Sequence, residues 1–362
     1  MRYLLDAIDY LFQPWSYFLF SVVLFWAMIR YREKWTEPAF ALKLLSGAVG
    51  ILVFSLVFSP HFRQIASLPD NVPIFLMVFS VGFFTWLSLR QSVLNDRRLA
   101  QGKPPIEKET SDGKVYVWPD LLYVEFIAVL IGCAVLLAWS LCLHAPLEQA
   151  ATPAWTPNPS KAPWYFQGLQ EMLVYFDPWL SGVVFPGLII IGLMAVPYLD
   201  KNPKGAGYFT FNERKGAIIP FLFGFFVLWA ALIFLGTFLR GPGWNFFGPY
   251  ENWDPNKVVV LNNVNLSEYI WVRLLGMGLP SNFFIREIWG FLLIGFYFIG
   301  LPRLLTREIP LLREWLEKMG VIRYGVLMFL FLCMASLPVK MLLRWLMNLK
   351  YIVAVPEIFF NI

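Results

Sequence analysis

"DLLYVEFIAVLIGCAVLLAWSLCL", residues 120–143, is a continuous apolar run interrupted by charge only at Asp120 and Glu125. A bilayer core takes about 20 predominantly apolar residues to cross, so the run is long enough to span one. It must do so as a helix, because backbone groups exposed to hydrocarbon have to be satisfied inside their own segment. Runs of the same kind lie at 14–30, 39–59, 72–90, 180–199, 216–239, 285–303 and 322–343. The composition agrees: of 362 residues, 58% are hydrophobic, 18% aromatic and only 15% charged. The mean hydropathy of +0.60 exceeds what a soluble domain needs for one core. No porin-like alternation is present. The expected fold is therefore all-α, a polytopic membrane protein of about eight spans.

Basic residues orient those spans. With the N-terminus outside, the cytoplasmic side receives Arg30, Arg32 and Lys34, then Arg90 to Lys114, Lys201 to Lys215 and Arg303 to Arg323. These are about 18 of the 29 Lys and Arg, against about 9 outside. The bias keeps its direction at every crossing. Both termini and the 144–179 and 240–284 loops are then expected on the periplasmic, electrochemically positive side. The net charge of +5 follows from this asymmetry, and no nucleic-acid signature accompanies it. The first run begins near Trp15 without a basic leader or a small-residue cleavage site, which reads as a retained helix.

Between the spans, 91–119 reads as a polar, Pro/Gly-broken cytoplasmic loop. The outer 240–284 segment is turn-rich and then amphipathic near Ser267 to Leu279. "TREIPLLREWLEKMG" at 306–320 has the spacing of a short interfacial helix. Chemistry-bearing residues are few. Cys133, Cys142 and Cys333 are scattered without CxxC or CxxCH, which excludes a disulfide framework, a structural zinc or covalently held haem c in this sequence. His61 and His144 are the only histidines, too few for a pair of bis-histidine haems, and no metal site is expected. "KGAGYF" at 204–209 is too short for a phosphate loop. Glu125, a little way into its span, reads as solvated at the cytoplasmic headgroups, with proton uptake or partner contact as the functional alternative. Lys340, near the outer end of the last span, reads as snorkelling together with Arg344.

From Pro119 to about Pro255 the features come in a distinctive order. "WPDLLY" enters a span, and a proline-rich outer loop "TPAWTPNPSKAPWYF" follows. A span ends in "AVPYLDKNP", a basic loop intervenes, and the next span ends in "LGTFLRGPGWNFF". This order resembles the C-terminal half of cytochrome b and its separate form, subunit IV of cytochrome b6f-type complexes. It looks closest to the b-type subunits of bacterial menaquinol:cytochrome c oxidoreductases. The resemblance divides the chain into a three-span extension (1–118), the subunit IV-like part (119–255) and a two-span extension (256–362).

The resemblance implies a bacterial inner-membrane subunit of a bc-type quinol:cytochrome c oxidoreductase, with quinone or menaquinone as bound substrate. It also implies a haem-binding cytochrome b-type partner and iron–sulfur or cytochrome c chains alongside lipid. In that family the loop at 161–179 forms one wall of the quinol-oxidising pocket. Pro163, Trp164, Tyr165 and Phe166 would supply that wall. The family's Pro-Glu-Trp-Tyr motif falls on "APWY", so Pro163 stands where the proton-accepting glutamate belongs. Glu171 or Asp177 would have to take over that catalytic role, with Tyr165 as a further substitute. The alternative is a structural membrane anchor of a larger electron-transfer complex with a degenerate quinol site. A transporter is disfavoured, since neither inverted repeats nor paired broken helices are evident.

Overall fold

Each apolar run becomes a helix in the computed structural model, which describes residues 2–110, 116–143, 150–154, 156–204, 209–259 and 262–362. His144 and most of the 204–209 stretch lie outside the described residues. The main helices are α1 (Arg2–Leu11), α2 (Pro14–Arg30), α3 (Pro38–Phe58), α4 (Val72–Ala100) and α5 (Val117–Cys142). They continue as α6 (Gln167–Met172), α7 (Leu180–Leu199), α8 (Phe211–Leu239), α9 (Ile288–Glu308) and α10 (Pro310–Met347). Among the described residues 7 helices are long and apolar enough to cross a membrane, or up to 8 if α1 and α2, bent by 81°, count as one span. The chain is an all-α polytopic membrane protein.

Three local expectations change and one feature is added. First, α4 runs on to Ala100, and a further helical turn covers Ile106–Thr110, so the 91–119 segment is not simply a loop. Its polar residues are good helix formers, and Asn95 ties the end down. Asn95 is fully buried; its Nδ2 donates to Glu107 Oε2 and to the Phe209 carbonyl, both at 2.8 Å, while its Oδ1 accepts from the Ile106 N–H at 3.0 Å. Second, the 306–320 segment is split: Thr306–Glu308 end α9, and from Pro310 on it forms the N-terminal part of α10, set off from the span by Gly320 at φ 75°. Third, the amphipathic stretch beyond Ser267 is helical over Glu268–Leu274 only, before Gly276 adopts φ +66°. Fourth, the C-terminal tail forms a small antiparallel hairpin, Ala354–Val355 with Phe360–Asn361.

Most apolar side chains face outward, as lipid solvates them at no cost. The packed hydrophobic interior gathers mainly in two clusters. One cluster joins Phe18 of α2, Tyr175 and Phe176 of the 161–179 loop, Leu232 of α8 and Met341 of α10. A second joins Tyr17, Phe62, Ile74 and Phe238, with Trp164 packed against it. Both converge on the C-terminal end of α8 and the loop that covers it.

Candidate functional site

The loop that opens with Lys161 turns at Pro163, makes a single tight turn over Trp164–Phe166 and enters α6. α6 lies directly on α8, and Gly236 is the position where a side chain would crowd that approach. A Cβ on Gly168 would sit 3.5 Å from the Trp229 carbonyl, and one on Gly236 would come to 3.0 Å from Gln167 Oε1. Gln170 staples the entry, accepting from the Ala162 N–H at 2.8 Å and donating to the Ser160 carbonyl at 2.8 Å. Gln167 adds a bond to the Ala162 carbonyl at 2.5 Å.

This geometry sorts the aromatic residues. Trp164 turns inward and joins the cluster around Phe238. Tyr165 and Phe166 stay 48% and 49% exposed, their rings 4.7 Å apart, with Tyr165 edge-on to Trp164 at 5.6 Å and 87°. Pro163 is exposed beside them. The result is an apolar, aromatic face standing on a rigid support and open on its far side.

Glu171 lies one turn into α6, on the side facing α8, and is completely enclosed. Arg240 grips it in a fork, Nε to Oε2 at 2.9 Å and Nη2 to Oε1 at 2.6 Å. The Tyr175 hydroxyl donates to Oε1 at 3.1 Å and the Trp244 indole to Oε2 at 3.2 Å. Bidentate charge-assisted pairs of this kind are strong and directional. Burial, then the Glu171 charge, push the Tyr175 phenol well above its ordinary value, so it keeps the proton it donates to Glu171. The turn after α8 is shaped for this grip: Gly243 has φ +65°, Trp244 φ 58°, and the Trp244 carbonyl accepts from Arg240 Nη1 at 3.1 Å. Gly243 N–H in turn donates to Asn158 Oδ1 at 2.6 Å, tying the proline-rich loop to the same knot. In this arrangement Glu171 can accept a proton only by giving up its hold on Arg240.

The Asp177 carboxylate sits at the other end of the loop and is partly open. Its Oδ2 accepts from Asn361 Nδ2 at 3.0 Å and from the Tyr351 hydroxyl at 3.3 Å, while its Oδ1 has no partner among the described residues. The Trp179 indole donates to the Asn361 carbonyl and its ring stacks on Phe360 at 5.5 Å, so the C-terminal hairpin closes the far end of the loop. Lys340 departs from the expected snorkelling. Its side chain is enclosed in protein, with Nζ 6.0 Å from the Phe176 ring centroid. Glu125 is exposed on α5, without a side-chain partner among the described residues. Among the described residues, no group of His, Cys, Asp and Glu is arranged to hold a metal ion.

Arg240 is the residue that sequence reasoning missed. A signal existed: it is an arginine immediately after a span on the side expected from the basic-residue bias to face outward, followed by "GPGW".

No solved structure matches the chain. A relative, the menaquinol:cytochrome c reductase cytochrome c subunit of Geobacillus thermodenitrificans, is 36% identical over 124 residues, which are 31% of this chain and 48% of the relative. The chain thus spans about half the length of the curated relative it matches. Residues 150–239, the segment from the proline-rich loop to the end of α8, match the family described as cytochrome b (C-terminal)/b6/petD, in agreement with the resemblance read from 119–255.

Proposed function

We propose that the chain is a membrane subunit of a bc-type quinol:cytochrome c oxidoreductase, with a subunit IV-like centre at 119–255 flanked by helical extensions at 1–118 and 256–362. In this reading it contributes one wall of a quinol-oxidising pocket on the positive side of a bacterial inner membrane. The observation that carries the reading is the exposed Pro163–Tyr165–Phe166 face, held rigid by the enclosed Glu171–Arg240 pair inside the segment that matches the family. A quinol ring is flat and apolar and needs such a wall, with polar groups only at its two hydroxyls. The wall is one-sided, so the remaining walls belong to a partner, in this reading the haem-binding cytochrome b-type chain. The relative's name carries a cytochrome c subunit, whereas this sequence has no CxxCH. Haem c is therefore not held by these residues, and in this reading iron–sulfur or cytochrome c chains are the redox partners.

Within the loop, Trp164 backs the wall and Glu171 serves as the counter-ion that fixes it. Asp177 is the loop carboxylate with an oxygen free to receive a proton from quinol, in place of the glutamate replaced by Pro163. The structural-anchor reading keeps one specific support, that same proline. Purification of the intact complex in mild detergent separates the two. Quinol oxidation that Tyr165→Ala weakens, with normal assembly, fits the quinol wall, whereas turnover indifferent to Tyr165→Ala and Asp177→Asn alike assigns the loop a structural role. Orientation is tested separately: a cysteine at Asn158 should react with an impermeant reagent from the periplasm and one at Gly102 should not.

A further inference from the structure

Buried polar side-chain atoms in proteins almost always have a hydrogen-bond partner, from protein or from ordered water. Among the described residues seven such atoms have none, and four of them gather behind the 161–179 loop: Gln167 Oε1, Thr237 Oγ1, Trp253 Nε1 and His61 Nε2. Gln167 and Thr237 are only 2% and 3% exposed. Lys161 links them. Its Nζ donates to the Thr237 carbonyl at 2.6 Å and stands 4.5 Å from the centroid of the Trp253 ring. The other neighbour of Trp253 is His61, ring centroids 5.4 Å apart. His61 then lines an open outer cleft of about 640 Å³, together with Asp6, Asp9, Tyr250 and Glu251. Residues with unpartnered donors and acceptors thus follow one another from the base of the loop to the cleft rim at His61, and bridging waters are the kind of partner that would satisfy such groups.

We propose that Lys161, Gln167, Thr237, Trp253 and His61 line a hydrated proton path leading from the base of the quinol-wall loop to the outer cleft at Asp9 and Glu251. The path rests on the quinol reading above. It carries protons only. Each quinol loses two protons and two electrons, and the electrons leave through one-electron iron–sulfur or haem centres of partner chains. A proton reaching the base of the loop is taken by the neutral Lys161 amine, released to the water file, relayed past His61 and delivered through the cleft carboxylates to bulk water.

The titration of the three groups suits this relay, because transfer is fastest between groups poised near the working pH. Burial, then the Arg240 charge, bring Lys161 down to about 7 against the opposing pull of Glu171. Burial holds His61 below its ordinary value despite Glu251. Burial lifts Asp9 to about 6, helped by Glu251 and Asp6 and opposed by its bonds from the Tyr250 and Glu251 backbone. The neutral amine is the accepting form, so turnover should rise with pH through about 7 and lose that limb in Lys161→Met.

The test uses the intact complex in sealed vesicles with a pH dye outside, comparing Lys161→Met, His61→Gln and Tyr165→Ala with wild type. The path requires Lys161→Met and His61→Gln each to slow proton release and quinol turnover by about 10-fold or more, with an enlarged solvent deuterium effect. His61→Ala should be partly rescued by external imidazole, which a merely structural histidine would not show. If Tyr165→Ala impairs turnover while both path variants release protons at the wild-type rate, the path is overturned and the quinol wall stands. If Tyr165→Ala also changes nothing, the quinol reading fails and the path with it. Should Lys161→Met not assemble, His61→Gln on the cleft rim decides alone.

Discussion

α5 is among the most apolar helices of the chain, yet no residue of its spanning window is buried against the rest of the protein. The loop at 161–179 carries Lys161, Glu171 and Asp177, and encloses Gln167, Glu171, Tyr175 and Phe176. In water the two would exchange places. In a bilayer, lipid is as good a solvent for leucine and valine as another helix is, so apolar side chains give no drive to pack. Polar groups do give one, because each must find a partner, and the packed core forms where the ion pair and the loop hydrogen bonds are. A bare helix such as α5 is correspondingly free to meet another chain.

Removing one partner of the ion pair should disturb this contrast most. Arg240→Met leaves Glu171 enclosed without its counter-charge, at a cost of about 3–5 kcal/mol, read as a lowered thermal midpoint in detergent and loss of the loop's protection from proteolysis. The double variant Glu171→Leu/Arg240→Met should recover most of that loss, since an apolar pair of similar volume removes both buried charges. A double variant as unstable as the single one would mean that shape, not charge, holds the loop.

Asp177→Asn tests the loop's other carboxylate. An amide oxygen still accepts from Asn361 and Tyr351, so stability should change by no more than about 1 kcal/mol. Quinol oxidation should slow by about 10²-fold, the scale for a positioned proton acceptor. Unchanged turnover would remove Asp177 from the chemistry and leave proton uptake to Lys161. Tyr165→Ala deletes part of the wall but nothing enclosed. It should weaken quinol binding by about 10-fold, about 1.4 kcal/mol, seen as a raised KM at unchanged thermal midpoint.

The smallest effect is expected on α5. Leu136→Ala should leave the stability of the isolated chain within about 0.5 kcal/mol of wild type, because Leu136 is 69% exposed. A larger loss would show that α5 folds back onto the bundle and would erase the contrast.

The amino-acid sequence by itself determined the membrane class, the helical fold and the location of the spans. Each of these is a local property: a run such as 120–143 must be helical wherever its neighbours lie. The order of motifs from Pro119 to Pro255 was equally legible, since turns and prolines act within a few residues. Only the tertiary structure decided the partners. Glu171 and Arg240 are 69 residues apart, and nothing in the sequence between them specifies that their side chains meet. Asp177 finds Asn361 across 184 residues, and Lys161 finds Thr237 across 76. The end of α4 belongs to the same group: its polar residues look like a loop until Asn95 is seen to bond Phe209. Enclosure is a property of the packed chain, and in a membrane apolarity no longer predicts it.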